Sequence, residues 1–148
     1  MNRIFLLTII CLFCMNLNGQ NLEQHRWKNR IVIIKTKKEQ SEKYQKQLKE
    51  FGNSNEAFRD RKLVLYQVVD DQYKLTDFKN IARKESEKIS LNLRESLLIP
   101  IEQFEVILIG LDGGIKLQTT AMLSKEDLFN KIDAMPMRRA ELRKLENQ

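Results

Sequence analysis

The chain has 148 residues, with 26 lysine and arginine side chains against 20 aspartate and glutamate side chains, and a formal net charge of +6. That length suits one ordinary hydrophobic core and no second domain. The charge favours anionic surfaces through long-range attraction, but it is too small to indicate a nucleic-acid-binding protein by itself.

The first residues of the chain predict a cleavable export signal. Arg3 supplies a positive start, and residues 4–15 are apolar except for Thr8. This stretch is too short for a membrane-spanning helix, which needs about 20 residues, but it has the length of a signal-peptide core. We therefore expect residues 1–19 to be a signal peptide and residues 20–148 to form a single domain, exported to the periplasm or secreted, with no membrane span after cleavage.

Cleavage there would remove both cysteines, Cys11 and Cys14. An uncleaved anchor and a lipoprotein are the alternatives, although a lipoprotein cysteine normally follows a small residue and these follow Ile10 and Phe13. Without a thiol, and with His25 as its one histidine, the mature chain could form no zinc site of histidine and cysteine ligands. We expect no metal site and no cofactor.

Two buried strands separated by a helix are predicted at the start of the domain. Residues 30–35 and 62–69 are apolar runs, which are typical of strands covered on both faces. Between them, residues 38–51 carry apolar side chains at helical spacing and predict an amphipathic helix that ends before Gly52.

The middle of the chain has a weaker pattern. Phe78, Ile81 and Ala82 favour one short helical face. Residues 91–98 predict a further helical segment, which Pro100 would end.

The C-terminal third predicts a hairpin. Residues 104–109 and 115–120 have the pattern of strands, and the Asp112-Gly113 pair between them favours a tight type I′ turn.

Two helices are predicted to follow the hairpin. Ser124 and Asp127 form the pattern of a capping box, so a helix should begin there and run to about Ala134. Pro136 suits the first turn of a final helix over residues 137–145.

The predicted order is therefore β-α-β-α-β-β-α with a terminal helix. Right-handed crossovers would make the first two units parallel, and helices would cover both faces of a central mixed sheet. This α/β order is the layout of a thioredoxin-like sandwich, and other α/β sandwiches could share it.

Several segments resemble one known family. The runs 104–117 and 132–139 are similar to segments of the family called domain of unknown function 4174, and the second run contains the most specific string, Met-Pro-Met-Arg-Arg. The resemblance spans roughly residues 22–143, nearly all of the mature chain. Outside these two runs, the residues that also match the family are Trp27, Arg30, Asp60 and Arg61.

The resemblance implies a thioredoxin-like, peroxiredoxin-related fold and a secreted setting. Similar domains occur in animal extracellular-matrix proteins, some of which carry sushi repeats. No established reaction is implied. Leu111 stands where a lysine would be expected before Asp-Gly, which weakens an anion-binding role for this turn.

The residue types argue against thioredoxin chemistry. Thioredoxin-like oxidoreductases attack through a thiolate between the first strand and the first helix. Residues 36–40 occupy that position and contain no cysteine. His25 has no nucleophile motif near it from which a catalytic triad could be built. We therefore predict no catalytic residues.

The Met-Pro-Met-Arg-Arg string is the best candidate for a binding site. Two flexible thioethers beside two guanidinium groups can offer an adaptable apolar surface with anion-binding forks. The alternative is that the methionines pack beneath the sheet while the arginines pair with Asp133 or Glu141. The candidate binding residues are Met135, Pro136, Met137, Arg138, Arg139 and Asp112.

Two functional hypotheses follow. The first is a non-catalytic interaction module whose partner is an unknown macromolecule or an anionic surface, and not a nucleic acid. The second is a cysteine-independent oxidoreductase related to peroxiredoxins, which rests on the fold relationship alone.

Overall fold

The structure is a computed structural model that describes residues 22–79, 82–89, 98–99 and 101–147. In this part of the chain six strands form one mixed sheet, and they are β1 (Arg30–Thr36), β2 (Leu63–Val69), β3 (Gln72–Asp77), β4 (Ala82–Lys88), β5 (Phe104–Ile109) and β6 (Ile115–Thr119). Their order in the sheet is β4-β3-β2-β1-β5-β6. β1 and β2 pair in parallel, and each other neighbouring pair is antiparallel.

The described residues form four helices, two between β1 and β2 and two after β6. A short 3-10 turn, Leu22–His25, precedes β1. None of these helices is long and apolar enough to cross a membrane. The helices are α1 (Glu42–Phe51), α2 (Asn55–Asp60), α3 (Lys125–Asp133) and α4 (Pro136–Glu146).

β1 is the central strand, and all 7 of its residues are buried. Val32 and Ile34 belong to the apolar cluster on one face of the sheet, and Ile31 and Ile33 belong to the cluster on the other face. This burial on both faces is what the continuous apolar run predicts.

Three helices cover the first face. Tyr44 of α1, Phe58 of α2 and Leu128 of α3 are each buried in the cluster that contains Val32. Burial, together with the nearby charge of Glu39, raises the pKa of the Tyr44 hydroxyl to about 12.

The second face is covered differently in the described residues. Tyr66, Tyr73 and Leu98 are buried there, and Leu22 of the 3-10 turn packs against them. The helical segment predicted over residues 91–98 lies outside the described residues, apart from Leu98.

α1 begins at Glu42, later than the predicted residue 38. The Ser41 hydroxyl caps it by accepting a hydrogen bond from the Tyr44 backbone N–H at 3.2 Å. Before that point the Thr36 hydroxyl accepts from the Lys38 backbone N–H at 3.3 Å. Such side-chain turns compete with helix formation, so the segment between β1 and α1 remains a loop.

The helical face predicted around Ala82 is wrong, because Ala82 begins β4. β3 precedes it, with Tyr73 and Leu75 buried while Gln72 and Lys74 are exposed. That alternation has the period of a strand and not of a helix.

The predicted parallel second crossover is also wrong. The β3–β4 hairpin follows β2, and β5 then runs antiparallel to β1. The α/β class with a central mixed sheet is confirmed, and the β2-β1-β5-β6 core is compatible with a thioredoxin-like sandwich.

The β5–β6 hairpin is confirmed, but its turn is not type I′. That turn requires positive φ at both central residues, whereas Asp112 is not among the positive-φ residues and Gly113 has φ of 80°. The Gly110 N–H donates to the Gly114 carbonyl at 2.9 Å, and the register shifts between Leu108 and Ile109. The hairpin therefore closes through a longer loop with a bulge.

Candidate functional site at the basal end of the sheet

Segments far apart in the sequence meet at one end of the sheet, where β1 and β2 begin and β5 ends; we call this the basal end. The Trp27 N–H donates to the Leu111 carbonyl at 2.7 Å. The Arg30 guanidinium donates through Nη1 to the Arg61 carbonyl at 2.9 Å. The run 104–117 and the matching positions Trp27, Arg30 and Arg61 therefore meet here.

Charged side chains from β1, α2, α3 and α4 form one network at this end. Its centre is Arg138, whose side chain is only 3% exposed. Arg138 Nε donates to the Asp133 carboxylate at 3.2 Å, and Nη2 donates to the Asp60 carboxylate. The members of this charged network are Arg30, Asp60, Arg61, Lys62, Asp133, Arg138 and Glu141.

Arg61 joins the network to the first apolar face. Its Nη2 donates to the Asp133 carboxylate at 2.5 Å. Its guanidinium lies 4.2 Å from the centre of the Phe129 ring, which is a cation–π contact. α3 is thus attached to the segment before β2 by both charge and packing.

Glu141 lies between two cations. It accepts from Arg30 Nη1 at 3.2 Å and from Lys62 Nζ at 3.2 Å. Burial disfavours the charged carboxylate, but Arg30 and Lys62 outweigh that effect and hold the pKa of Glu141 below its ordinary value of 4.5.

Arg138 is held in its charged form. Burial alone would lower its pKa, but the carboxylates of Asp60 and Asp133 outweigh the burial and raise the pKa of the guanidinium above its ordinary value.

Arg30 is the least well paired member of the network. Its side chain is fully buried, yet Nε and Nη2 have no hydrogen-bond partner in the described part of the chain. Buried donors without a partner are costly, so Arg30 contributes less to stability than the number of its donors suggests.

The structure separates the two arginines of the Met-Pro-Met-Arg-Arg string. Arg138 points inward into the network, as the pairing alternative expected. Arg139 is exposed and has no ion pair with a described residue. The guanidinium of Arg138 is therefore occupied, whereas that of Arg139 is accessible.

The other residues of the string differ in how exposed they are. Met135 occupies the position before α4 without a side-chain capping bond and packs against the first apolar cluster, and Pro136 is the first residue of the helix. Met137 is 41% exposed. Met137 and Arg139 are thus the candidate residues that a partner could reach most easily.

Asp112 holds the β5–β6 turn together. Its carboxylate accepts from Lys116 Nζ at 2.6 Å and from the Gly114 N–H at 3.1 Å. The hydrogen bond from Lys116, followed by that from Gly114, lowers the pKa of Asp112 below its ordinary value. These contacts give this side chain a local structural role.

A cleft of about 890 Å³ opens at the basal end beside the charged network. Asp60, Asp77 and Glu141 contribute carboxylates to its wall. Five cationic side chains line it in addition to Arg138, and they are Lys28, Arg59, Lys62, Lys79 and Lys144. The sequence pattern did not predict this grouping, because the five cations come from four separate segments of the chain.

The opposite end of β1 is where a thioredoxin-like nucleophile would lie. Thr36 occupies the end of the strand and is buried. Its hydroxyl donates to the Lys38 carbonyl at 3.0 Å. Cys11 and Cys14 both precede the described residues, so no thiol of the described chain reaches this position.

His25 is buried on the second face. Its Nε2 lies 2.8 Å from the Tyr66 hydroxyl, and its Nδ1 lies 3.4 Å from the Asn29 side-chain oxygen. These contacts attach the 3-10 turn to the sheet. Within the described ranges, no three histidine, cysteine, aspartate or glutamate side chains are grouped so that they could hold a metal ion.

The fold and this site define an α/β domain with a mixed sheet and a charged, cleft-bearing basal end. The chain matches the family described as Domain of unknown function (DUF4174) over residues 21–141. It belongs to this family. No curated protein and no solved structure matches the chain.

Proposed function

We propose that the chain is an exported, non-catalytic binding module that recognises an anionic partner with the basal end of its sheet. The observation that supports this most directly is the basic cleft. Cations outnumber carboxylates in its wall, and long-range attraction would draw a negatively charged partner towards it.

The carboxylates of the cleft are mostly engaged by the protein itself. Asp60 pairs with Arg138, and Glu141 pairs with Arg30 and Lys62. By contrast, Lys28, Lys79 and Lys144 are exposed, and none has an ion pair with a described residue. Three ammonium groups of the cleft are thus available to a partner.

The charged network keeps the cleft in shape. Arg138 ties α4 to the end of α2, and Glu141 ties α4 to β1. Because α4 carries Lys144 and α2 carries Arg59, these two cations of the cleft need less ordering when a partner binds.

Two further features support an exported, non-catalytic role. The N-terminal segment has the pattern of a signal peptide, which contains both cysteines. The buried Thr36 at the end of β1 cannot supply a thiolate. Turnover of hydrogen peroxide by the purified mature protein would favour the oxidoreductase alternative.

Binding to a soluble polyanion, dextran sulfate, tests the proposal. The mature protein should bind immobilised dextran sulfate in a salt-dependent manner. The combined substitutions Lys28→Gln, Lys79→Gln and Lys144→Gln should weaken binding strongly.

A matched control removes the same charge elsewhere. Lys37→Gln, Lys38→Gln and Lys49→Gln change three exposed lysines outside the cleft that have no ion pair with a described residue. This variant should bind almost as well as the wild type. If both triple variants lose the same affinity, attraction to net charge explains the binding and the cleft is not the site.

A further inference from the structure

Several exposed apolar side chains lie at the basal end. Seven large apolar side chains are exposed among the described residues, and four of them lie at this end. Ile115 begins β6, while Met137 and Leu145 lie in the first and last turns of α4. These four basal apolar residues are Trp27 (61% exposed), Ile115 (45%), Met137 (41%) and Leu145 (60%).

Trp27 is held outward in an unusual backbone conformation. Its φ is 63°, which is rare for a bulky residue. The hydrogen bond from its N–H to the Leu111 carbonyl fixes this conformation, and the Arg26 guanidinium lies 5.6 Å from the centre of its ring. Backbone strain of this kind concentrates at functional sites.

Cations alternate with these apolar side chains. Lys28 follows Trp27 and Lys144 precedes Leu145, and both lysines line the basic cleft. Arg139 and Arg143 add two exposed guanidinium groups on α4. A surface that combines exposed tryptophan and aliphatic side chains with lysine and arginine is typical of proteins that lie on anionic membranes.

A soluble polyanion would use the cations but would not bury the apolar side chains. A bilayer surface binds the cations and also buries the apolar side chains, because phosphate groups attract the cations and tryptophan is favoured at the level of the headgroups. Charge complementarity and the apolar residues therefore point to the same partner.

We infer that the basal end docks on the surface of a membrane that contains anionic phospholipid, with Trp27 and Leu145 at headgroup depth and Lys28 and Lys144 beside the phosphates. This inference rests on the proposed function and names its anionic partner. The contact is peripheral, through side chains of the folded domain.

Trp27 is also a built-in probe, since it is the single tryptophan of the chain. We would add the protein that begins at residue 20, which contains every described element, to vesicles of phosphatidylcholine with phosphatidylglycerol. Its fluorescence emission should shift to shorter wavelength and acrylamide should quench it less. Vesicles of phosphatidylcholine alone should cause no shift, and added salt should reverse it.

Paired variants test the docking face. Met137→Gln with Leu145→Asn should reduce vesicle binding. The control, Ile101→Asn with Met122→Gln, removes exposed apolar side chains at the opposite end and should leave binding unchanged. The variant with Lys28→Gln, Lys79→Gln and Lys144→Gln should bind the anionic vesicles on the order of a hundredfold more weakly than the wild type. Each cation near an anionic surface contributes about a fivefold gain in affinity.

The outcomes separate this inference from the proposed function. Binding to dextran sulfate through the cleft lysines, with no vesicle binding and no Trp27 emission shift, would overturn the membrane inference alone. If the protein binds neither dextran sulfate nor the vesicles, both the proposed function and the membrane inference are overturned. Equal loss of vesicle binding in the two apolar variants would show that the basal end is not the docking face.

Discussion

Arg138 donates from Nη1 to the backbone carbonyl of Asp60 at 3.0 Å and from Nη2 to the carboxylate of the same residue. The two residues are 78 positions apart in the sequence. Their contact fixes α4 across the end of the sheet, next to the residue that ends α2. The exposed cations of α4, such as Lys144, consequently have defined positions relative to Arg59 of α2.

Arg138→Ala should destabilise the domain by about 3 kcal/mol, because it removes the buried centre of the charged network and leaves Arg61 as the one described cation that pairs with Asp60 and Asp133. Arg139→Ala is the matched control, since the neighbouring side chain is exposed, and it should change stability by less than about 0.5 kcal/mol. Urea unfolding followed by circular dichroism measures both values. Similar losses in the two variants would contradict the role assigned to the network.

This contrast shows what the sequence could and could not predict about the site. Adjacent arginines in one motif look equivalent until the orientation of the helix is known. The inward position of Arg138 depends on Asp60 and Asp133, which lie on other helices. The pairing alternative named Asp133 and Glu141 because both are near Arg138 in the sequence, whereas Asp60 is remote.

The strands of the fold were predicted with uneven success for a physical reason. β1, β2 and β5 are covered on both faces, so their continuous apolar runs are plain in the sequence. Exposed and buried side chains alternate along the first part of β3, and the sequence of β4 is mostly charged. Charged sequences suit edge strands, but alone they resemble a solvated helix.

Acid should weaken the domain through Glu141. The pKa of this carboxyl is lower in the folded protein than its ordinary value of 4.5. Its contribution to stability is therefore complete above about pH 5 and is lost as the pH falls through the folded value, because the unfolded chain binds the proton first. The free energy of unfolding should decrease over that range.

The substitution Glu141→Gln isolates this effect. The variant should be less stable than the wild type at neutral pH, and its stability should fall less steeply between about pH 5 and pH 3. Glu126→Gln changes an exposed glutamate of α3 and should keep the wild-type dependence. Unfolding in urea at several pH values measures the slopes, and parallel slopes for wild type and Glu141→Gln would contradict the assignment.

Gly113 and Gly114 should respond differently to alanine. Gly113 has a φ of 80°, so Gly113→Ala should cost about 1 kcal/mol although the nearest atom to the new methyl group is 3.8 Å away. At Gly114 the φ is not positive and the new methyl group would lie 3.4 Å from the Asp112 carboxylate, an ordinary contact. Gly114→Ala should therefore be nearly neutral. Thermal unfolding of both variants checks this order. An equal loss of stability in the two variants would show that steric crowding, and not the backbone φ, determines the cost of the added methyl group.

The N-terminus of α3 offers a test of the predicted capping box. The Ser124 hydroxyl accepts from the Asp127 N–H at 3.0 Å and donates to the Asp127 carboxylate at 2.6 Å. Ser124→Ala should lower the free energy of unfolding by about 1 kcal/mol, because the N–H groups of the first turn lose this acceptor. Ser54 precedes α2 without a side-chain capping bond, so Ser54→Ala should cost less. Urea unfolding measures both, and a larger loss at Ser54 would mean that capping is not what stabilises the start of α3.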